Sequence, residues 1–164
     1  MNGDWSDLLK NEFLVTGTVF DVEYLNGTAI LLGGAFRRVG NITNLNNIAL
    51  LSYPELKWLP TIGVKGIVTS FVSFYDTVFV GGHFIACVNE TVCVNNIIGW
   101  NTALKDSIYF LGNGLPTSPP QSTTKHAFVT SLASANDNLY IGGNFIQVLF
   151  LPNISFSFFI IIFN

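Results

Sequence analysis

The 164-residue sequence predicts an all-β fold, and three observations lead to this prediction. Its apolar runs are about four to six residues long and rich in Val, Ile, Phe and Tyr, which is typical of strands. The breaks between the runs carry Gly, Asn, Asp, Pro and Ser, which tolerate turn geometry. The pattern of runs and breaks recurs along the chain, so one supersecondary unit is used more than once.

The repeat is centred on two adjacent glycines, followed after one residue by phenylalanine. Its three copies span residues 30–36, 78–84 and 139–145. The ungapped segments 68–85 and 129–146 agree at nine of eighteen positions, whereas unrelated segments of average composition would agree at about one. The repeat therefore indicates an internal duplication.

One copy contains four predicted strands, at residues 68–73, 77–80, 96–100 and 107–111. Both faces of such a four-stranded antiparallel sheet are apolar here, and a single sheet covers neither of them. Stacking the sheets around an axis buries both faces, which is the architecture of a β-propeller. The sequence thus predicts a partial β-propeller of four-stranded antiparallel blades, with two full blades plus a half.

Propellers close with about four to eight blades, so we expect a fragment of a longer propeller repeat protein. Its partners would be the remaining blades or further copies of the chain, because open sheet edges and apolar faces favour association. The predicted units are the end of a preceding blade at 1–17, blade 1 at 18–66, blade 2 at 67–127 with an insertion loop at 116–124, half of blade 3 at 128–146, and an apolar tail at 147–164.

The glycine pairs and the following phenylalanines are predicted to be structural residues. Glycine allows a positive φ, and its lack of Cβ allows a close backbone approach where a sheet bends or crowds its neighbour. We expect the phenylalanines to pack between blades. A phosphate-binding loop is not expected, because no Gly-x-x-x-x-Gly-Lys pattern occurs. The predicted structural positions are Gly33, Gly34, Phe36, Gly81, Gly82, Phe84, Gly142, Gly143 and Phe145.

The succession Leu/Val-Tyr/Phe-x-Gly-Gly-x-Phe, Asn-Asn-Ile-Ala and Trp-x-x-Leu-Gly resembles the kelch-like repeats of the galactose-oxidase type. It is most similar to the repeats in the ectodomains of Rax2-type cortical polarity marker proteins, over roughly residues 15–146. The resemblance implies a propeller fold and a glycosylated, membrane-anchored, non-catalytic surface protein. It does not imply the copper chemistry of galactose oxidase, because fold alone does not carry function.

Composition and charge exclude some function classes. Seven Lys and Arg face ten Asp and Glu, so the net charge of −3 argues against a nucleic-acid partner. His83 takes the place of Ala35 and Asn144 in the repeat, which indicates a rim residue and not a ligand. No Ser/His/Asp set, carboxylate pair or metal-ligand cluster can be assembled from the sequence. We therefore expect a protein that is not an enzyme, with no catalytic, cofactor-binding or metal-binding residues.

Two features suggest an oxidising compartment. Cys87 and Cys93 flank a five-residue loop and form either a disulfide or a pair of free buried thiols. Four Asn-x-Ser/Thr triplets are either glycosylation sites or the chance product of an Asn-rich chain. The candidate glycosylation sites are Asn26, Asn41, Asn89 and Asn153.

The tail after residue 146 has two interpretations. Its run at 156–163 is intensely apolar, and a membrane anchor is one interpretation. The other is a β-prone end that takes the place of the missing half-blade, which Pro152 and the absence of flanking Lys or Arg favour.

These observations predict a binding module on the cell surface or outside the cell. Loops that connect blades would contact a protein or glycan ligand, at residues 41–46, 87–94 and 116–124. The alternative is the remnant of a secreted propeller enzyme whose active residues lie on missing blades.

Overall fold

A computed structural model describes residues 14–25, 27–43, 45–87, 93–101, 107–109, 127–144 and 157–162. This part of the chain contains twelve strands and no helix, which confirms the all-β prediction. The strands form three sheets, which follow one another along the chain and are called the first, second and third sheet.

The first sheet has the order β1-β2-β4-β5, with the short β3 paired to β2, and all its pairs are antiparallel. Its strands are β1 Val15–Leu25, β2 Ala29–Val39, β3 Ile42–Thr43, β4 Ile48–Ser52 and β5 Trp58–Leu59. The first strand thus begins inside the segment that the sequence assigned to a preceding blade.

The second sheet is the four-stranded antiparallel unit that the repeat predicts, in the order β6-β7-β8-β9. Its strands are β6 Lys65–Phe74, β7 Thr77–Cys87, β8 Cys93–Asn101 and β9 Ser107–Tyr109. The strands β6, β7 and β8 include three of the predicted runs and extend beyond them, and β9 covers the first three residues of the fourth run. In β7 the extension shows alternating buried and exposed side chains up to Cys87.

The third sheet contains β10 Phe128–Ala135, β11 Asn138–Asn144 and β12 Ser157–Ile162. The tail strand β12 runs parallel to β11, whereas antiparallel β4 and β8 hold this position in the other sheets. The tail therefore has the β structure of the second interpretation and fills the third place in the sheet. The described residues contain no helix long and apolar enough to cross a membrane.

A β-bulge lies opposite each glycine pair. Phe20, Thr69 and Thr130 are the extra residues, since their neighbours pair with successive glycines. The prediction of a positive φ at the glycine pairs is wrong, because the glycines with positive φ lie elsewhere. The prediction of a close backbone approach is confirmed: a Cβ on Gly34 would collide with the carbonyl oxygen of Thr18.

Apolar side chains fill the spaces between successive sheets. We call the contact of the first and second sheets the first junction, and that of the second and third sheets the second junction. Leu31, Val68 and Trp100 belong to the buried cluster of the first junction. Phe79 and Ile141 belong to that of the second. The strands β1, β6 and β10 therefore lie side by side through the stack, each at the edge of its own sheet.

The repeated phenylalanines differ in what they pack against. Phe84 lies in the buried cluster of the first junction, between the first and second sheets. Phe36 is equally buried but lies on the opposite face of the first sheet, against Val39, Ala49 and Trp58. Phe145 lies outside the described residues.

Candidate functional site

A cleft opens at the end of the first junction where β7 ends and β6 begins. Because β6 and β7 are antiparallel, with Lys65 paired to Ile85, the start of one strand and the end of the other lie together. The cavity has a volume of about 680 Å³, within the usual range of about 300–1,000 Å³ for ligand sites. Its lining consists of Asn46, Gly63, Val64, Lys65, Ile85, Cys87 and Cys93. We call this site the cleft.

The disulfide predicted as one of two alternatives forms one edge of the cleft. Cys87 and Cys93 are bonded and stand opposite each other in the β7–β8 ladder. The bond closes the loop between the two strands, and closing so short a loop stabilises the fold by about 2 kcal/mol in the chain-entropy model. It fixes the end of the hairpin beside the cavity, so this wall is held covalently.

Asn46 lines the cleft, and its neighbour Asn47 helps to hold the connection between the first two sheets in place. Asn46 and Asn47 both have a positive φ, of 44° and 71°, a conformation that asparagine tolerates better than most residues. The side chain of Asn47 accepts a hydrogen bond from the Phe36 N–H (2.9 Å) and donates one to the Val64 carbonyl (3.2 Å). The Asn46 carbonyl accepts from the Val64 N–H (3.0 Å). These bonds hold the connection between the first two sheets against the cleft.

Steric crowding explains why Gly63 occurs in this connection. A Cβ on Gly63 would lie 2.6 Å from the Cβ of Asn46, closer than real side chains approach. Any larger residue would push the connection away from Asn46 and change the shape of the cleft.

The second sheet repeats the asparagine contact. Asn96 has a φ of 69° and is 2% exposed, and its Oδ1 accepts from the Phe84 N–H (3.1 Å). Among the described residues its buried Nδ2 has no hydrogen-bond partner, whereas the same atom of Asn47 donates to the Val64 carbonyl. The repeated Asn-Asn-Ile motif is therefore explained by structure: the second asparagine pins its strand to the glycine-pair strand.

The described lining of the cleft offers one charge. Lys65 is exposed at its edge, and Ile85 presents an apolar surface that is 46% exposed. Asn46, Gly63, Val64 and the two bonded cysteines make up the rest of the described lining. Such a site suits a ligand with an apolar face and an acidic or hydrogen-bond-accepting group.

The structure brings together two of the three loops that the sequence proposed as ligand contacts. Asn46 closes the loop at 41–46, and the two cysteines bound the loop at 87–94. The loop at 116–124 lies outside the described residues. Among the candidate glycosylation sites, Asn41 is exposed in the turn between β2 and β3. The other three, Asn26, Asn89 and Asn153, lie outside the described residues.

In the part of the chain that the structure describes, side chains suited to catalysis do not lie together at one site. His83 is exposed on β7, and His126 lies outside the described residues. Asp76 and Asp137 lie in the β6–β7 and β10–β11 hairpin turns, at the end of the sheets away from the cleft. Within the part of the chain that the structure describes, no three His, Cys, Asp or Glu side chains could hold a metal ion together.

Sequence reasoning missed the carboxylates of β1. Asp21 Oδ2 accepts a hydrogen bond from the Phe71 N–H (2.6 Å), and Glu23 Oε1 accepts from the Ser73 N–H (3.0 Å). Both bonds cross the first junction and cover donors on the edge strand β6, which would otherwise be open to pairing. The equivalence becomes visible only in the strand register, which places Asp21 opposite Gly33 as Ser70 stands opposite Gly81, because the spacing in the sequence differs by one residue.

A second missed signal is a glycine at the start of the first two copies. Gly17 and Gly66 have φ values of +138° and +135° and pair with the repeated phenylalanines Phe36 and Phe84. Both glycines stand two residues before the valine that precedes the bulge, so the repeat could have been extended to them. Comparisons of the chain with protein-family models, with curated proteins and with solved structures find no match.

Proposed function

We propose that the chain is a non-catalytic extracellular interaction module built from propeller-type blades, which binds an acidic protein or glycan group in the cleft. The observation that carries the proposal is the cleft itself, where two connecting loops and the start of β6 meet beside a disulfide. Loops held by a rigid scaffold are where binding residues concentrate.

The blade interpretation has support from the stacking of the sheets. Successive sheets follow the chain order and place equivalent strands next to each other, as blades do around an axis. The bulge opposite the glycine pair recurs in all three sheets. The kelch-like sequence resemblance points to the same architecture.

Two features support an extracellular location, namely a disulfide and an exposed glycosylation triplet. Disulfides persist in oxidising compartments and are rare in the cytosol, and Cys87 and Cys93 are bonded. Asn41 stands exposed in a tight turn with Thr43 two residues later, which is the accessibility that a glycosylation acceptor needs.

The acidic ligand follows from the charge at the cleft. Among the lining residues that the structure describes, Lys65 alone is charged, and an ammonium group pairs with a carboxylate or sulfate. Ile85 and Val64 offer the apolar surface for a sugar ring or an aliphatic side chain. An acidic sugar and an Asp or Glu side chain of a protein share this chemistry.

The test is a screen of acidic and neutral glycans and of extracellular proteins, followed by titration of any ligand with three proteins. The wild type should bind, and Lys65→Glu should weaken binding at least about tenfold, because a salt bridge becomes a repulsion. Lys57→Glu makes the same charge change in an exposed turn away from the cleft and should bind like the wild type. A screen without any ligand, or equal losses in both variants, would contradict the proposal.

A further inference from the structure

The first junction has two recurring contacts. Gly33 lies beneath side chains of the second sheet: a Cβ there would be 2.6 Å from Val68 Cγ1 and 2.5 Å from the Phe71 ring. The side chain of Asp21, which pairs with Gly33, accepts the hydrogen bond of the Phe71 N–H. The junction thus has two parts. Two apolar side chains of one sheet pack over a glycine of the other, and a side-chain oxygen beside that glycine accepts a backbone hydrogen bond from the strand that carries the apolar side chains.

The second junction repeats both contacts. A Cβ on Gly81 would be 2.6 Å from Val129 Cγ1 and 3.1 Å from Leu132 Cδ1. Ser70, which pairs with Gly81, accepts the hydrogen bond of the Leu132 N–H (3.0 Å). The second sheet therefore has a hydrogen-bond acceptor, Ser70, on the face toward the third sheet. Its other face carries the apolar side chains of Val68 and Phe71 and the donating Phe71 N–H, and we call such a pair of apolar side chains the ridge.

The outward face of the first sheet carries the ridge. Val22 occupies the register position of Phe71 and Leu132, one residue after the bulge acceptor. Val22 and Tyr24 stand two residues apart on β1 and are 54% and 56% exposed, so they form a short apolar stripe on this face. In the single chain the Val22 N–H donates to Asp21 Oδ1 of its own strand (2.9 Å), a local substitute for a partner.

The outward face of the third sheet carries the acceptor. Ser131 pairs with Gly142 as Ser70 pairs with Gly81, and it is exposed. Ala133 and Ala135 continue the same exposed row along β10, while Gly142 itself is buried. Small side chains in this row leave room for the bulkier stripe of β1.

We propose that the outward face of the first sheet binds the outward face of the third sheet of a second copy of this chain, head to tail. The contact would continue the two junctions already present, with Ser131 Oγ accepting from the Val22 N–H of the other copy. The inference rests on the blade interpretation in the proposed function, but not on ligand binding at the cleft. Two copies with three sheets each supply six, within the range of about four to eight blades that closes a propeller.

The two faces differ, so the contact is heterologous, which makes a sharp test available. Val22→Lys disables the ridge and Ser131→Lys the acceptor face; both residues are exposed, so the fold should tolerate the charges. By light scattering we expect wild type at twice the chain mass of 18.0 kDa and each variant alone at 18.0 kDa. An equimolar mixture should regain one contact and form a heterodimer. The control Ile42→Lys places the same charge at another exposed apolar position, on β3, and should remain dimeric.

Several outcomes would overturn the proposal. A monomeric wild type would show that the faces take further sheets of a longer repeat or remain open. Loss of association in Val22→Lys but not in Ser131→Lys would show a symmetric contact between two β1 faces. A mixture that stays monomeric would exclude the head-to-tail contact.

A second measurement does not depend on blocking the faces. Chains carrying Val22→Cys and chains carrying Ser131→Cys, mixed and oxidised, should cross-link to each other and not to themselves, since the native cysteines are already bonded. Absence of the mixed cross-link would contradict the proposal. Monomeric Val22→Lys should keep the ligand affinity of the cleft, because Val22 lies outside its lining. A failure of self-association is thereby distinguishable from a failure of the binding function.

Discussion

The first and second junctions have the same geometry but different chemistry. At the first junction, carboxylates of Asp21 and Glu23 accept the hydrogen bonds that cross between the sheets. At the second junction, neutral hydroxyls take over: Ser70 accepts from Leu132, and Thr69 donates to the Val129 carbonyl (2.6 Å). The comparison shows that a side-chain oxygen opposite the first glycine of each pair accepts a hydrogen bond from the next sheet, and that this oxygen can belong to a carboxylate or to a neutral hydroxyl.

The steric half of the comparison gives the largest expected effect. A Cβ on either glycine would meet a valine Cγ1 at 2.6 Å, but on Gly33 it would also meet the Phe71 ring at 2.5 Å, whereas on Gly81 the further side-chain contact is Leu132 Cδ1 at 3.1 Å. Since a ring yields less than a leucine, Gly33→Ala should lower the free energy of unfolding by about 3 kcal/mol and Gly81→Ala by about 1 kcal/mol. Urea unfolding at one fixed protein concentration measures both. Equal losses would show that the two junctions relax alike.

Removing the hydrogen-bond acceptors at the two junctions should lower the free energy of unfolding by less than the substitution at Gly33 does. Asp21→Ala leaves the Phe71 N–H without its charged acceptor and should cost about 2 kcal/mol, while Ser70→Ala removes a neutral acceptor and should cost about 1 kcal/mol. Raising the salt concentration should narrow this difference, because salt screens only the charged contact. Asp21→Asn keeps an acceptor oxygen and serves as the control. A larger loss in Ser70→Ala than in Asp21→Ala would reverse the ranking of the junctions.

The smallest effect concerns a contact found at the second junction. The Tyr75 hydroxyl donates to Asp137 Oδ1 (2.7 Å), and this hydrogen bond, with some desolvation and the charge of Asp137, raises the pKa of Tyr75 above 10.0. The folded protein therefore keeps the phenol proton to a higher pH than the unfolded chain. The contribution to stability is complete below about pH 10 and is lost as the pH rises through the folded pKa.

Tyr75→Phe provides the check on this pH dependence. Unfolding of the wild type and the variant is compared at about pH 8 and about pH 11, on either side of the ordinary tyrosine pKa. We expect a small stability advantage of the wild type at the lower pH that disappears at the higher pH. An advantage that persists at the higher pH would show that the contact does not titrate in the expected sense.

Much of the fold could be predicted from local signals. The second sheet follows from four apolar runs with turn residues between them, and the close backbone approach at Gly34 and Gly82 follows from glycines that recur at a fixed place. The tail was ambiguous because an apolar run at 156–163 suits a helix or a strand. Only the pairing of β12 with β11, a contact distant in sequence, decides between them.

The candidate site was harder to predict than the fold. Its loops could be named because they connect strands, and the cysteine spacing suggested the disulfide. The roles of Asn47 and Lys65 could not be predicted, because they depend on how the connection at Gly63 folds back onto the turn before β4. Asp21 was overlooked for a similar reason: its partner Phe71 is fifty residues away in the sequence.

The duplicated asparagine has a consequence for how such a chain can diversify. Asn47 and Asn96 tie their strands to Phe36 and Phe84 in the same way, yet the segments that precede them differ. One copy carries the small hairpin of β3, and the other a loop closed by sulfur. A single amide anchor in each unit thus lets the adjacent loop acquire new length and chemistry without disturbing the scaffold, so recognition can evolve one unit at a time.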